Sequence, residues 1–103
     1  MDRIAKLKEF LAAQPGDAFL QHALALEHIK VGDDGAARGL FEAILAAQPG
    51  YVGSYYHLGK LLERQGETDA AIKVYETGMA ACKKVGDNHA YNELQGALEE
   101  LTD

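Results

Sequence analysis

The sequence has few of the features that mark disulfide-rich, membrane or secreted proteins. It has a single cysteine, Cys82, in 103 residues, so no disulfide can form within the chain. Its longest uninterrupted apolar run is Ala43–Ala47, far shorter than the roughly 20 residues that span a bilayer. The first residues also lack the apolar core of a signal peptide. We therefore expect a cytoplasmic protein with no membrane partner.

Basic residues are also scarce. Ten lysines and arginines stand against sixteen acidic residues, which gives a net charge of −6. Domains that bind nucleic acid usually carry a basic patch, so we expect no nucleic-acid partner. Most of the acidic excess lies in residues 86–103, which contain no basic side chain. This segment predicts a solvated surface or a mild preference for basic partners.

No catalytic or cofactor motif is recognisable. Ser54 is the single serine and has no glycine-bracketed turn around it. The 11 glycines are scattered, with neither a phosphate loop nor a dinucleotide-binding fingerprint among them. No set of nucleophile, base and orienting group can be assembled from the spacing. We therefore expect no catalytic residue, no cofactor and no enzymatic activity.

The histidines do not predict a metal site. His22 and His28 are six residues apart, which places them on different faces of a helix. His89 and Glu93 share a helix face, but a lone His–Glu pair is typical of a surface contact.

Cys82 has two interpretations. The adjacent Lys83 and Lys84 would lower the pKa of its thiol, as in a reactive cysteine. Its alignment with Gln48 in the repeat described next places it at a helix end outside the core. We therefore interpret it as a bystander thiol.

An internal repeat with an offset of 34 residues dominates the sequence. Leu11–Gly16 recurs letter for letter as Leu45–Gly50. Leu7, Phe41 and Tyr75 form a series of large apolar residues at the same spacing. Self-similarity at a fixed period of this length is typical of helical repeat proteins.

Each repeat unit is predicted to contain two helices. Apolar residues at spacings of three and four indicate amphipathic helices, and no segment alternates with the period of a strand. Glycine, proline and potential capping residues separate the segments. An aspartate of Asp33-Asp34 and the threonine Thr68 are expected to cap the helices that follow them. The pattern predicts helices over about 2–14, 17–31, 34–47, 51–65, 68–84 and 88–101.

Both units resemble the tetratricopeptide repeat. The residues of the second unit that carry the resemblance are Tyr55, Leu58-Gly59, Leu62, Gly66, Ala71-Ile72 and Tyr75. Those of the first unit are Leu24-Ala25, Gly32-Asp33, Ala37, Phe41 and Pro49. The resemblance implies an all-α fold, a right-handed α-solenoid of antiparallel helix pairs with about six helices. The single domain, 1–103, is expected to comprise a half-repeat helix (1–16), two repeats (17–50 and 51–85) and a capping helix (86–103). The polar outer face of the last helix favours a complete chain.

Four positions depart from the family's pattern. Gln21 and His28 replace bulky apolar residues, so looser packing of the second helix is expected. Ile44 replaces a usual alanine. Lys83 stands where proline is usual, which predicts a longer fifth helix.

The resemblance also implies a function. In this family the first helix of each pair lines a concave groove that usually binds a peptide or helix of a partner protein. Carried over by position, that groove is lined by Phe19, His22, Leu26, Ile29, Tyr56, Lys60, Glu63 and Asn92, together with His89 and Gly96. Phe19, Leu26 and Tyr56 would anchor an apolar side chain of the partner. Lys60, with Arg64 nearby, would pair with a carboxylate.

Alternatives to the groove remain open. The groove positions are also compatible with an ordinary solvated surface. The Lys and Asn pattern with which some family members clamp a carboxylate is almost absent, since the first unit offers His22, Ala23 and Leu26 on the equivalent face. A structural module that forms homo-oligomers through its repeat ends or its groove is the second functional hypothesis.

Overall fold

The computed structural model describes residues 2–102, so the predicted domain ends at Met1 and Asp103 lie outside the described residues. The described residues form six helices and no strand, which confirms the predicted all-α fold class and places every helix end within two residues of its expected position. The helices are α1 (Arg3–Ala13), α2 (Ala18–Lys30), α3 (Asp34–Ala47), α4 (Gly53–Arg64), α5 (Thr68–Val85) and α6 (Asn88–Thr102). They group into two compact units, one up to Gln48 and one from Pro49 onward.

Aspartate side chains begin most of the helices. Asp17 accepts a hydrogen bond from the backbone N–H of Leu20 at 3.0 Å, and Asp33 accepts one from Ala36 at 3.1 Å. Such caps satisfy amide groups that have no partner within the helix. The expectation that Thr68 caps α5 is wrong: Thr68 is the first residue of the helix, and Glu67 at the capping position makes no side-chain cap bond.

Gly32 and Gly66 end α2 and α4 at matching repeat positions. Their φ angles are +82° and +77°, in the left-handed region that costs glycine nothing. The predicted left-handed turn at the end of each first helix is therefore confirmed.

In the first unit, α2 packs against both α1 and α3. Gln21 of α2 donates a hydrogen bond from Nε2 to the carbonyl of Pro15 at 3.1 Å, which ties the helix to the turn before it. The buried apolar residues are Leu7, Ala18, Leu24, Ala25, Ala37, Phe41 and Ile44.

In the second unit, α5 packs against α4 and α6, and α4 also contacts α6. Tyr55 occupies the repeat position of Gln21, and its hydroxyl donates to the carbonyl of Pro49 at 2.6 Å. The two units therefore make the same hydrogen bond to a proline carbonyl with different side chains. The buried apolar residues are Tyr55, Leu58, Leu61, Leu62, Ala71, Tyr75, Cys82, Leu94 and Ala97.

Two glycines bring the helices of the second unit into close contact. A Cβ on Gly59 would lie 2.1 Å from the ring of Tyr75, and one on Gly78 would lie 2.7 Å from the side chain of Tyr55. Each aromatic ring thus occupies the space that a side chain would need. The pairing of a large residue with a glycine sets how closely α4 and α5 approach.

The fifth helix is longer than its counterpart α3, as the absence of proline at Lys83 predicts. It has 18 residues against 14, and it ends at Gly86 with a φ of +77°. The added turn overturns one prediction. Cys82 lies in the core with 1% of its surface exposed. The helix α5, which packs against α6, continues past the position of Gln48, so Cys82 is not at a helix end.

None of the six described helices combines the length and the apolar character needed to cross a lipid bilayer.

Replacement of Gly59 by alanine should destabilise the protein by about 1–3 kcal/mol, because the added methyl group would overlap the ring of Tyr75. Urea unfolding followed by circular dichroism measures the change. Gly96→Ala in α6 is the matched control, since no atom lies within 4 Å of its added Cβ. The Gly96→Ala substitution should raise the free energy of unfolding by about 0.5–1 kcal/mol, because glycine within a helix is less favourable than alanine. Equal effects of the two substitutions would contradict the packing argument.

Candidate functional site

The candidate site residues of the first unit lie on one face of α2. Phe19, His22, Leu26 and Ile29 follow one another at spacings of three and four, which keeps them on the same side of a helix. Phe19 is the most exposed of them, with 70% of its surface accessible. Leu26 and Ile29 are half-buried. This α2 face is therefore an apolar strip that ends in a protruding aromatic ring.

His22 has a packing contact as well as its place in this strip. Its ring lies 5.5 Å from that of Phe41 in an edge-to-face arrangement, and Phe41 is fully buried in α3. His22 thus covers the core, and its edge is only partly available to a partner.

The candidate residues of α4 form a connected cluster in the second unit. Lys60 Nζ lies 3.7 Å from Glu63 Oε2 and 5.8 Å from the ring centroid of Tyr56. It also lies 3.7 Å from Oε2 of Glu100, which belongs to α6. We call Tyr56, Lys60, Glu63 and Glu100 the α4 cluster.

Tyr75 holds this cluster from the core side. Its hydroxyl donates a hydrogen bond to Glu63 Oε2. Burial, together with the hydrogen bond to Glu63 and that carboxylate's charge, raises the pKa of the Tyr75 phenol well above its ordinary value. The phenol therefore stays protonated as a donor and fixes the position of Glu63.

Sequence reasoning missed two parts of this cluster. It assigned Tyr75 to packing alone, and it did not include Glu100 among the site residues. Leu94 and Leu98 of α6 match Leu58 and Leu62 of α4 at an offset of 36, and at this offset Glu100 corresponds to Arg64. That match is a signal in the sequence from which the place of Glu100 beside α4 could have been inferred.

Lys60 is expected to pair with a carboxylate of a partner, but carboxylates of the chain itself compete for its ammonium group. The ammonium group already lies between Glu63 and Glu100. Two carboxylates against one ammonium give this cluster a negative charge. Asn92, the last candidate residue, is exposed on α6.

The matching positions of the two units differ in chemistry. At the offset of 34, His22, Leu26 and Ile29 correspond to Tyr56, Lys60 and Glu63. The hydroxyl of Tyr75 that meets Glu63 is absent from Phe41, its counterpart in α3. The α2 face is thus apolar where the α4 cluster is polar.

His57 lies beside the α4 cluster. Its ring makes an edge-to-face contact with Tyr56 at 5.7 Å between centroids. Burial lowers the pKa of His57; the charge of Glu93 acts in the opposite direction, and that of Arg64 lowers the pKa further. His57 is therefore neutral at neutral pH.

The environment of Cys82 opposes ionisation. Burial raises the pKa of its thiol, and the charge of Asp87 raises it further. The suggestion that Lys83 and Lys84 lower this pKa is wrong, because the thiol points into the core and both lysines are exposed. Within residues 2–102, no three histidine, cysteine or acidic side chains are grouped to hold a metal ion.

Several solved structures are similar to the chain. A crystal structure of a tetratricopeptide repeat domain protein from Salinibacter ruber is 42% identical, covers 82% of this chain and 94% of that one, and has a TM-score of 0.80. A solution structure of a Bordetella parapertussis protein is 29% identical over 98% of this chain and 88% of that one, with a TM-score of 0.84. A crystal structure of MamA protein is 26% identical over 95% of this chain and 56% of that one, with a TM-score of 0.73. No protein-family model and no curated protein matches the chain.

The free energy of unfolding should fall as the pH is lowered from about 7.5 to about 5.5, partly through His57. Its pKa is lowered in the folded chain, so the unfolded chain takes up this proton at a higher pH. The substitution His57→Gln should make the fall smaller. Urea unfolding of both proteins at each pH measures it. A variant whose stability depends on pH as steeply as that of the parent would exclude this role.

Cys82 should react with an aromatic disulfide reagent roughly tenfold or more slowly in the folded chain than in urea, because it is buried and its pKa is raised. Absorbance of the released thiolate measures the rate. Cys82→Ser provides the blank. Equal rates in the two conditions would show that the thiol is accessible.

Proposed function

We propose a function from the premise that the chain belongs to the tetratricopeptide repeat family of protein-interaction scaffolds. In this proposal α2 and α4 hold a peptide or helix of a partner protein. The observation that carries the proposal is the connected α4 cluster. Its tyrosine, lysine and glutamate project from the first helix of the unit, where the family resemblance expects a partner. The proposed role is non-catalytic.

Contacts within the chain connect the side chains of the α4 cluster. Glu63 is held by the Tyr75 hydroxyl, and Lys60 is held by Glu63 and Glu100. Tyr56 lies against both Lys60 and His57. A side chain that is already fixed loses little conformational entropy on binding, so these contacts favour a role for Tyr56 as an anchor.

The charge of the cluster indicates the chemistry of the partner. Glu63 and Glu100 outnumber Lys60, and Glu93 lies close enough to influence His57. A partner segment with lysine or arginine beside an apolar side chain would complement this surface. We therefore propose that the partner segment bound at α4 carries both basic and apolar side chains.

The α2 face would accept the apolar part of a partner. Phe19 is exposed, and Leu26 and Ile29 extend the apolar surface along the same side of the helix. Aromatic residues of this kind often contribute a large share of interface energy.

Self-association is the second candidate function. The observation that favours it is the exposure of Phe10 on α1, with 48% of its surface accessible. The matching repeat positions, Ile44 and Gly78, are buried. Sedimentation velocity over a wide concentration range tests it: a single monomeric species throughout would exclude this function.

A quantitative pull-down from lysate of the source cells, with separate Phe19→Ala and Tyr56→Ala baits, tests the main proposal. Recovery of the partner should fall about tenfold or more with each variant, because each removes a proposed anchor. Phe10→Ala is the matched control for an exposed phenylalanine, and Lys73→Glu is a surface control on α5. Circular dichroism confirms that every bait is folded. Full recovery with both anchor variants would refute the assignment to α2 and α4.

A further inference from the structure

The last turn of α5 has no counterpart in the first repeat. At the offset of 34, Lys83 and Lys84 correspond to Pro49 and Gly50, where α3 has already ended. In α5 the helix instead continues to Val85. A methyl group of Val85 lies 3.6 Å from the position of a Cβ on Gly50, so the added turn packs over the turn that precedes α4.

Lys83 and Lys84 of this added turn line a surface hollow. The hollow has a volume of about 480 Å³, and none of the residues that line it is acidic. We call it the α5 hollow; it is lined by Pro49, Tyr55, Thr77, Ala80, Ala81, Lys83 and Lys84. Its size suits one or two side chains of a partner rather than a whole small-molecule ligand.

A second hollow adjoins the first along α5. It has a volume of about 320 Å³ and is lined by Met79, Tyr91 and Leu98, and also by the acidic residue Glu76. Ala80 and Lys83 border both hollows. The Lys83 ammonium lies 5.4 Å from the ring centroid of Tyr91, which holds the lysine at the boundary between them.

The charge here differs from that of the rest of the chain. The chain carries a net charge of −6, and the α4 cluster has more carboxylates than ammonium groups. At the α5 hollow, two adjacent lysines border an apolar floor. Neither lysine forms a salt bridge within the described residues 2–102. An acidic ligand is therefore complementary to this surface and not to the α4 cluster.

We propose that the α5 hollow is a second docking site, which takes a partner-protein segment with a large apolar side chain flanked by carboxylates. The apolar side chain enters the hollow over Ala80 and Ala81, and the carboxylates pair with Lys83 and Lys84. The site goes beyond the proposed function because it lies on the second helix of its unit and selects the opposite charge. A bystander role, in which the lysines only complement the carboxyl end of α5, predicts no such binding.

Titration of the isotope-labelled full chain with a capped peptide tests the proposal by NMR. The probe is the acetylated and amidated hexapeptide EELFEE. Backbone shifts of Ala80, Ala81 and Lys84 should saturate with a dissociation constant on the order of 1 mM or below. The peptides QQLFQQ and EEAAEE should bind about tenfold more weakly, since each lacks one half of the recognised chemistry.

Variants of the chain provide the second arm. The pair Lys83→Glu and Lys84→Glu should weaken binding of EELFEE about tenfold or more. Lys73→Glu makes the same charge change on the same helix and should leave binding unaltered. Ala80→Leu fills the hollow without a change of charge and should also weaken binding. Because Lys83, Lys84 and Ala80 are exposed, these variants should fold.

Three outcomes would overturn the proposal. The first is the absence of saturable shifts at the hollow, and the second is equal binding of EELFEE and QQLFQQ. The third is a dimer of the free chain that is lost when Lys83 and Lys84 are reversed, which would make a second copy the occupant. Shifts on α2 or α4 instead would assign the acidic segment to the surfaces of the proposed function. The anchor variants Phe19→Ala and Tyr56→Ala leave the hollow intact, so the two proposals can fail separately.

Discussion

The close approach of α5 to α4 is the constraint on which the second unit depends. Gly59 leaves room for the ring of Tyr75, and Gly78 leaves room for Tyr55. Because Tyr75 lies this close to α4, its hydroxyl reaches Glu63 at the edge of the core. The contact that packs the core therefore also fixes a surface carboxylate. Any partner that meets Glu63 meets a group whose position is set by the fold.

The sequence was sufficient to predict the helices because their determinants are local. Glycine, proline and aspartate lie at the helix ends, and the 34-residue offset aligns the buried positions. The alignment of Cys82 with Gln48 predicted the wrong environment because it assumes two helices of equal length, although the absence of proline at Lys83 already predicted a longer α5. Side-chain pairs that join different helices, such as Tyr75 with Glu63, leave no periodic signal. The positions on α2 and α4 remain predictions for a binding site, and the structure adds their contacts.

Net charge alone gives an incomplete account of this surface. A chain with a net charge of −6 would be expected to prefer basic partners throughout. Lys60 follows that expectation because its ammonium group is already shared by two carboxylates. Lys83 and Lys84 line the α5 hollow, which has no carboxylate among its lining residues, whereas Glu76 lines the second hollow beside it. Electrostatic complementarity acts over distances of about a Debye length, so such local differences decide which segments can bind.

The repeat separates the positions that determine the fold from those that determine specificity. Ala37 and Ala71 correspond and are both fully buried, and Gln21 and Tyr55 make the same tie to a proline carbonyl. Leu26 and Lys60 also correspond, yet one is apolar and the other charged. Surface positions tolerate such changes because they alter no core contact. Two units of one architecture can therefore present different chemistry, apolar on α2 and charged on α4.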